Sequence, residues 1–220
     1  MEEQKKSNTP ENWEKLPKKP IYDAVKRFFD IVLSLFAMIV LSPLLLAVAI
    51  AIRAQDGGPA IYKSVRLTKN QKPFYMYKFR SMILGADQQL DDLMDRNEMC
   101  GPAIKLKDDP RVTKVGRFIR RTSIDELPQL LNVLRGDMTI IGPRPPLPRE
   151  VEQYTPYQLH RLDVKTGLAC YHECEGRSDT RDFDEWVESD LRYIRERSLW
   201  TDIKIIFLTV KVVITGKGAC

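Results

Sequence analysis

The sequence predicts an α-rich α+β protein built from an N-terminal apolar helix with a break near its middle, a small β-hairpin and several amphipathic helices. Three observations carry that prediction. From Phe28 to Ile52 there are 25 residues with a single charge, Asp30. Residues 60–82 hold two short apolar-alternating runs around the turn-like TKNQKP. Through the C-terminal half, apolar residues recur at three- and four-residue spacing with charges between them. The chain divides into a polar tail over 1–20, the apolar helix over 21–54 and a domain over 55–220.

The first twenty residues are charged and punctuated by proline, which predicts a mobile tail. The apolar stretch after it is longer than the core of a cleavable signal and reads as a retained anchor. A straight helix of that length reaches roughly 37 Å, enough for a hydrocarbon core of about 30 Å. Two features complicate a simple span. Pro43 cannot donate to the carbonyl of Ile39, and Ser42 can return its hydroxyl to a freed carbonyl. Positive charge also flanks both sides, with Lys15, Lys18, Lys19, Lys26 and Arg27 before the stretch and Arg53, Lys63, Arg66 and Lys69 after it. The positive-inside rule therefore finds no asymmetry. On the residues alone, a kinked spanning helix and a re-entrant one both remain open.

The hairpin's second strand alternates, placing Lys78 and Arg80 on one face and Tyr77 and Phe79 on the other. A solvated helix is expected from Ala86. RVTKVGRFIRR repeats a cation every three residues (Arg111, Lys114, Arg117, Arg120) with Val112, Val115 and Ile119 interleaved, the composition of a surface helix on anionic lipid or simply in water. Helices follow over 148–162 and 182–198. The last segment, 199–214, lines up Trp200, Ile203, Phe207, Val210 and Ile214 on one helical face, which favours an interfacial helix over a buried one.

A formal charge of +5 and a pI near 9.0 favour anionic partners: lipid headgroups, phosphates or nucleic acid. Four scattered cysteines do not make a disulfide framework, and reduced thiols are the simpler reading. Cys170, His172 and Cys174 cluster, but a second ligand pair for zinc is missing, so loop packing is the plainer account. Two histidines make histidine-based triads and metal sites poor candidates. There is no Walker loop, GxGxxG, HExxH or nucleophile elbow.

SIDELPQL (123–130) places Asp125 beside Glu126 directly after two arginines. The plain reading is a capping box, with Ser123 as N-cap and Glu126 three residues on. Pro128 strains it, and a helix starting nearer Asp125 would put both carboxylates at its positive end, where arginines help keep them ionised. An ionised aspartate can attack phosphorus, and a neighbouring glutamate can hold Mg²⁺. In GPRPP the prolines stiffen the backbone around Arg144, which suits bidentate contact with phosphate.

These motifs together resemble the bacterial sugar transferase family of monotopic phosphoglycosyl transferases. The resemblance is carried by KFRSM (78–82), the run from Arg111 into TSIDELPQLLNVLRGDMTIIGPRP, TGL (166–168), GRS (176–178), SLWTDIKI and the final GKGA. It implies transfer of a sugar-1-phosphate from a UDP-sugar to a polyprenyl phosphate such as undecaprenyl phosphate, with release of UMP, as the first membrane step of glycan assembly. It implies Asp125 as nucleophile, Glu126 as Mg²⁺ ligand and Arg144 as phosphate or nucleotide ligand. Lys78, Arg80, Arg120, Arg177 and Asp202 match as further substrate-binding candidates. Its partners would be the donor, the acceptor and membrane lipids, with no nucleic acid; the oligomeric state is not derivable. The Ser42–Pro43 break would make the anchor re-entrant, with both ends and the active site on the cytoplasmic face of the cell membrane. Direct transfer in a ternary complex and a non-catalytic membrane scaffold are the alternatives. One departure stands out: many relatives read TGLWQVSGR where this chain reads TGLACYHECEGR.

Overall fold

A computed structural model describes residues 17–89, 93, 97–98, 100–103, 106, 109–174 and 182–215. The tail expected over 1–20 therefore lies, up to residue 16, outside the described residues. So do Arg177 and the GRS and GKGA motifs.

The first helix, α1, runs Pro20–Asp56, with proline in its first turn and Gly57 closing it in the left-handed region. Two helices separated by a break were expected, but the helical assignment is continuous through Ser42–Pro43. The reason is local. Ser42 Oγ donates to the carbonyl of Ile39 at 2.7 Å, the carbonyl that Pro43 has no N–H to serve. Between the helix ends, Leu35, Phe36, Ile39, Val40 and Leu46 are exposed. Such a surface is large for a protein in water, and it makes α1 long and apolar enough to cross a membrane.

Both ends of α1 are docked on the rest of the chain. Near its start, Lys26 pairs with Asp202 at 2.8 Å. Arg27 donates to the carbonyls of Val133 and Leu134, and Asp30 accepts from Thr139 Oγ1 (2.7 Å) and Ile140 N (2.9 Å). Near its end, Val48 and Ile52 pack on Phe79 and Ile119, and Asp56 pairs with Arg80.

The expected hairpin is present. Strands β1 (Ile61–Thr68) and β2 (Lys72–Phe79) pair antiparallel in register from Ile61 opposite Phe79 to Thr68 opposite Lys72. From Ala86 the described residues begin with a 3₁₀ turn, Ala86–Gln89; most of the expected helix beyond it lies outside the described residues. The helix α2 spans Lys114–Arg121, capped by Thr113 Oγ1, which accepts from Gly116 N at 2.9 Å. Arg111 is not part of its basic face. It is buried, held by Asp109 and donating to the Ala86 carbonyl, because a guanidinium fork can satisfy a carboxylate and a carbonyl together.

A 3₁₀ helix, Ile124–Gln129, leads into α3, Leu130–Arg135. The capping box does not form: Ser123 sits in the left-handed region (φ 54°) and its side chain caps nothing. Strand β3 (Thr139–Ile141) pairs in parallel with β4 (Gly167–Ala169), a second small sheet that the sequence does not announce. A Cβ on Gly167 would lie 2.1 Å from Gly142 N, so this crossing requires glycine. The helix expected over 148–162 is three short pieces: α4 (Pro148–Val151), α5 (Pro156–Leu159) and a 3₁₀ turn (His160–Leu162). Thr155 and Pro156 stop one helix and start the next through a Thr155–Gln158 capping box.

After α6 (Tyr171–Cys174), α7 (Phe183–Glu196) starts at the N-cap Asp182. The last helix, α8, runs Leu199–Thr215. The main core joins Ile141, Leu162, Val187, Leu191, Ile194 and Ile205. On the outer side of α8, Trp200 is 76% and Phe207 72% exposed, and Ile203 and Val210 are exposed beside them. This is the apolar face the spacing predicts, apart from Ile214, whose side chain is outside the described ones.

Candidate active site

Asn132 sets the position of the acidic pair. Buried in α3, its Oδ1 accepts from Tyr77 N (3.0 Å) and its Nδ2 donates to the Tyr75 carbonyl (2.7 Å). One amide side chain thus serves two backbone groups of β2 that the hairpin leaves unpaired. The 3₁₀ turn before α3 is thereby held against β2, and Lys78 Nζ reaches Glu126 Oε1 at 2.6 Å.

Lys78 and Glu126 line a cleft together with Arg66 from β1, Arg144 from the GPRPP loop, Gly167 and Cys170. The loop is fixed from both sides. Gly167 N donates to the Pro143 carbonyl (2.8 Å), and Arg66 Nη1 donates to the Pro145 carbonyl (3.0 Å).

Asp125 is only 8% exposed. The sequence expectation was of a carboxylate held ionised by its arginines. Instead, burial pushes its pKa up to about 6 against the pull of Lys78, with Glu126 adding to the rise and Arg120 opposing it. It is still largely ionised at pH 7. Glu126 goes the other way. Burial works against its charge, but Lys78, Arg144 and Arg66 outweigh that and hold it below the usual range. Two adjacent carboxyl groups thus differ in proton affinity, with the more basic one the more buried.

Among the candidates from sequence, Lys78, Glu126 and Arg144 share the cleft, Asp125 adjoins them, and Arg120 acts on Asp125 through its charge. Arg80 and Asp202 are placed elsewhere. Arg80 is buried against Asp56 at the end of α1. Asp202 accepts from Lys26, Tyr22 and Tyr193, tying α8 and α7 to the start of α1. Sequence reasoning missed Arg66. Its burial and the nearby Arg144 lower its pKa to about 10, and a cation in a strand interior next to Leu67 was the available signal.

The Cys170–His172–Cys174 group does not converge. Cys170 faces the cleft, His172 stacks on Trp186 (5.2 Å between centroids) and Cys174 Sγ lies 2.9 Å from Thr209 Oγ1. Among the described residues, no three His, Cys, Asp or Glu side chains group to hold a metal by themselves. Asp125 and Glu126 do offer two hard oxygen donors. That suits Mg²⁺, which binds through one or two carboxylates and completes its shell with water and substrate phosphates.

A buried Asp125 and a half-buried Glu126 edged by four cations, on a body docked to both ends of an exposed apolar helix, define an anion-receptive site. The chain belongs to the bacterial sugar transferase family, whose sequence profile matches residues 21–216. It is 48% identical over 194 residues to the galactosyl transferase CpsE of Streptococcus agalactiae, covering 88% of this chain and 43% of that protein. To the undecaprenyl-phosphate galactose phosphotransferase of Salmonella typhimurium it is 43% identical over 199 residues, 89% of this chain and 41% of that one. To the exopolysaccharide production protein ExoY of Sinorhizobium fredii it is 38% identical over 205 residues, 91% and 90% of the two chains. The chain thus spans less than half the length of the first two.

Proposed function

We propose that this protein transfers a sugar-1-phosphate from a UDP-sugar to a polyprenyl phosphate, releasing UMP, through a phosphosugar carried on Asp125. The observation that carries the reading is the buried Asp125 next to a Glu126 that Lys78, Arg66 and Arg144 hold ionised. The names of relatives, such as the undecaprenyl-phosphate galactose phosphotransferase, support the acceptor and the sugar phosphate.

In the first step an Asp125 oxygen attacks the phosphorus that bears the sugar. The bond to the bridging oxygen breaks, and UMP leaves with the electron pair. In the second step an oxygen of the polyprenyl phosphate attacks the same phosphorus and returns the Asp125 carboxylate. Each step exchanges one phosphate linkage for another, and two inversions leave the configuration at phosphorus retained. Arg144, Arg66 and Lys78 stabilise the charge on the transferring group. Glu126, with Asp125 beside it, would hold Mg²⁺, which would supply charge neutralisation for the leaving nucleotide. A phosphate monoester, with a second pKa near 6, is mostly dianionic at pH 7 and needs no base to attack. That favours Asp125 as nucleophile over Asp125 as base in a direct transfer.

The same reading places α1 as a re-entrant anchor. Helix ends docked on one catalytic body and flanked by cations on both sides fit a helix that enters one leaflet and returns. A membrane-spanning α1 would separate those ends by the thickness of the bilayer. Both ends and the cleft then lie on the cytoplasmic face, where a soluble nucleotide donor meets a lipid-borne acceptor.

The test is to incubate the protein in nanodiscs with a panel of UDP-sugars and Mg²⁺, without acceptor, and to measure intact mass. The expected result is one equivalent of bound phosphosugar and one of released UMP, with the adduct discharged on adding undecaprenyl phosphate and both products absent in Asp125→Asn. Full transfer by Asp125→Asn, or intersecting rather than parallel double-reciprocal lines, would sink the covalent step. UMP release with none of the sugars would sink the transferase reading.

A further inference from the structure

The prolines around Arg144 stiffen its backbone, but its side chain still has four rotatable bonds, and a phosphate ligand must be aimed. The Arg144 guanidinium carbon lies 5.7 Å from the centre of the Trp186 ring, within cation–π range. Trp186 projects from α7, outside every motif that carries the family resemblance. We propose that Trp186 is a positioning residue for Arg144, a ring surface that aims the guanidinium at the donor's diphosphate. The inference rests on the transferase reading for the identity of that anion.

The indole is itself held in place. His172 stacks on it with planes 14° apart, and Phe183 meets it edge-on at 6.1 Å. Arg161 lies 5.5 Å from its centre, fixed by a buried pair with Asp190 (2.7 Å) and a bond to Tyr154 Oη (2.6 Å). Burial pushes the Asp190 carboxyl up, opposed by its pair with Arg161 and by the nearby charge of Arg144. Arg144 therefore has a π face and a buried carboxyl group near it from α7, and it also lines the cleft with Glu126.

A purely structural account of Trp186 is weaker. Its indole N–H is buried without a hydrogen-bond partner among the described residues, a penalty that phenylalanine would avoid. What tryptophan supplies beyond phenylalanine is the stronger cation–π surface. His172 belongs to the segment in which this chain departs from TGLWQV, so the departure contributes to the support of the arginine.

The test reads UDP affinity by calorimetry together with steady-state kinetics. Trp186→Leu should weaken UDP binding about five-fold or more and lower kcat/KM for the UDP-sugar by at least as much, because a misaimed Arg144 also loses its hold on the transferring phosphoryl group. Trp186→Phe should recover most of the affinity. In the Trp186→Leu background, Arg144→Ala should cost far less than it does alone, because an unaimed arginine has little left to lose. In a Trp13→Phe/Trp200→Phe chain, 5-fluoro- and then 5,7-difluorotryptophan should weaken UDP stepwise without changing the shape of the ring. This series remains decisive if Trp186→Leu does not fold. Unchanged affinity across the fluorinated series, or losses that multiply fully in the double variant, would overturn the proposal. Since UDP binding is read without turnover, a wild-type protein that binds UDP yet releases no UMP would count against the transferase reading alone.

Discussion

Lys78 Nζ lies 2.6 Å from Glu126 Oε1, joining the hairpin to the 3₁₀ turn at the floor of the cleft. The pair is only partly exposed, and the same ammonium is the chief charge favouring ionised Asp125. Lys78→Met removes one cation from two carboxyl groups at once. It should lower kcat about 10²-fold, the scale for losing a charged transition-state contact. It should also move the acid limb of the rate profile to higher pH. A Lys78→Met enzyme with an unshifted limb would show that Asp125 does not depend on this ammonium.

In the proposed covalent step Asp125 sets the pH dependence. Its pKa in the folded chain, about 6, is above the ordinary carboxylate value of 3.8. As a nucleophile it must be ionised, so kcat/KM should rise through pH 6 with the slope of a single proton and level off about one unit higher. Stability has the opposite sign. The folded state binds the proton more tightly than the unfolded chain, so folding gains stability as pH falls through 6 towards 4. Above pH 6 the buried charge costs on the order of 3 kcal/mol. Asp125→Asn should therefore raise the melting temperature at pH 8 by several degrees while removing activity, and the gap should narrow towards pH 5. Scanning calorimetry at the two pH values checks this.

Asn132→Leu keeps the volume of the side chain but leaves Tyr77 N–H and the Tyr75 carbonyl without their buried partner. The expected loss is about 2–4 kcal/mol by urea unfolding, more than a cavity alone would explain at equal size. Activity at a temperature where the variant is folded should fall as well, since the amide sets the distance between Lys78 and the acidic turn.

Much of this was legible in the sequence, and the reasons differ by element. The hairpin, α7 and the exposed face of α8 follow from periodicity and caps, which are local properties. Asp125, Glu126, Arg144 and Lys78 stood out as chemistry within short motifs. What local reading could not supply was pairing across the chain. The β3–β4 sheet joins residues nearly thirty apart through two glycines, and Arg66 reaches the cleft only because β1 passes the GPRPP loop. Arg80 and Asp202 have the residue types of anion and metal ligands, yet each pairs with an opposite charge that brackets α1. Lys26 looked in sequence like an ordinary flanking charge, and nothing local marked Asp56.

The bracketing of α1 yields a topological prediction. Asp30 accepts two hydrogen bonds from β3 near one end, and Ile52 packs on Phe79 and Ile119 near the other, with Leu35 to Leu46 largely exposed between. A re-entrant α1 keeps both docking sites on one side of the membrane, and Ser42 lessens the cost of bending there by serving the Ile39 carbonyl. In a Cys100→Ser/Cys220→Ser background, which removes an exposed native thiol and the C-terminal one, cysteines placed at Lys18 and Lys63 should both react with an impermeant maleimide in inverted vesicles. Neither should react in intact cells. Labelling of the Lys18 site from outside with the Lys63 site protected would mean that α1 spans the bilayer. One of the two docked ends would then have to leave the catalytic body, and Asp30→Leu, which cuts the N-terminal attachment, should in that case leave both stability and UMP release unchanged. If the anchor is re-entrant, the same substitution should lower both, because β3 runs directly into the loop that carries Arg144.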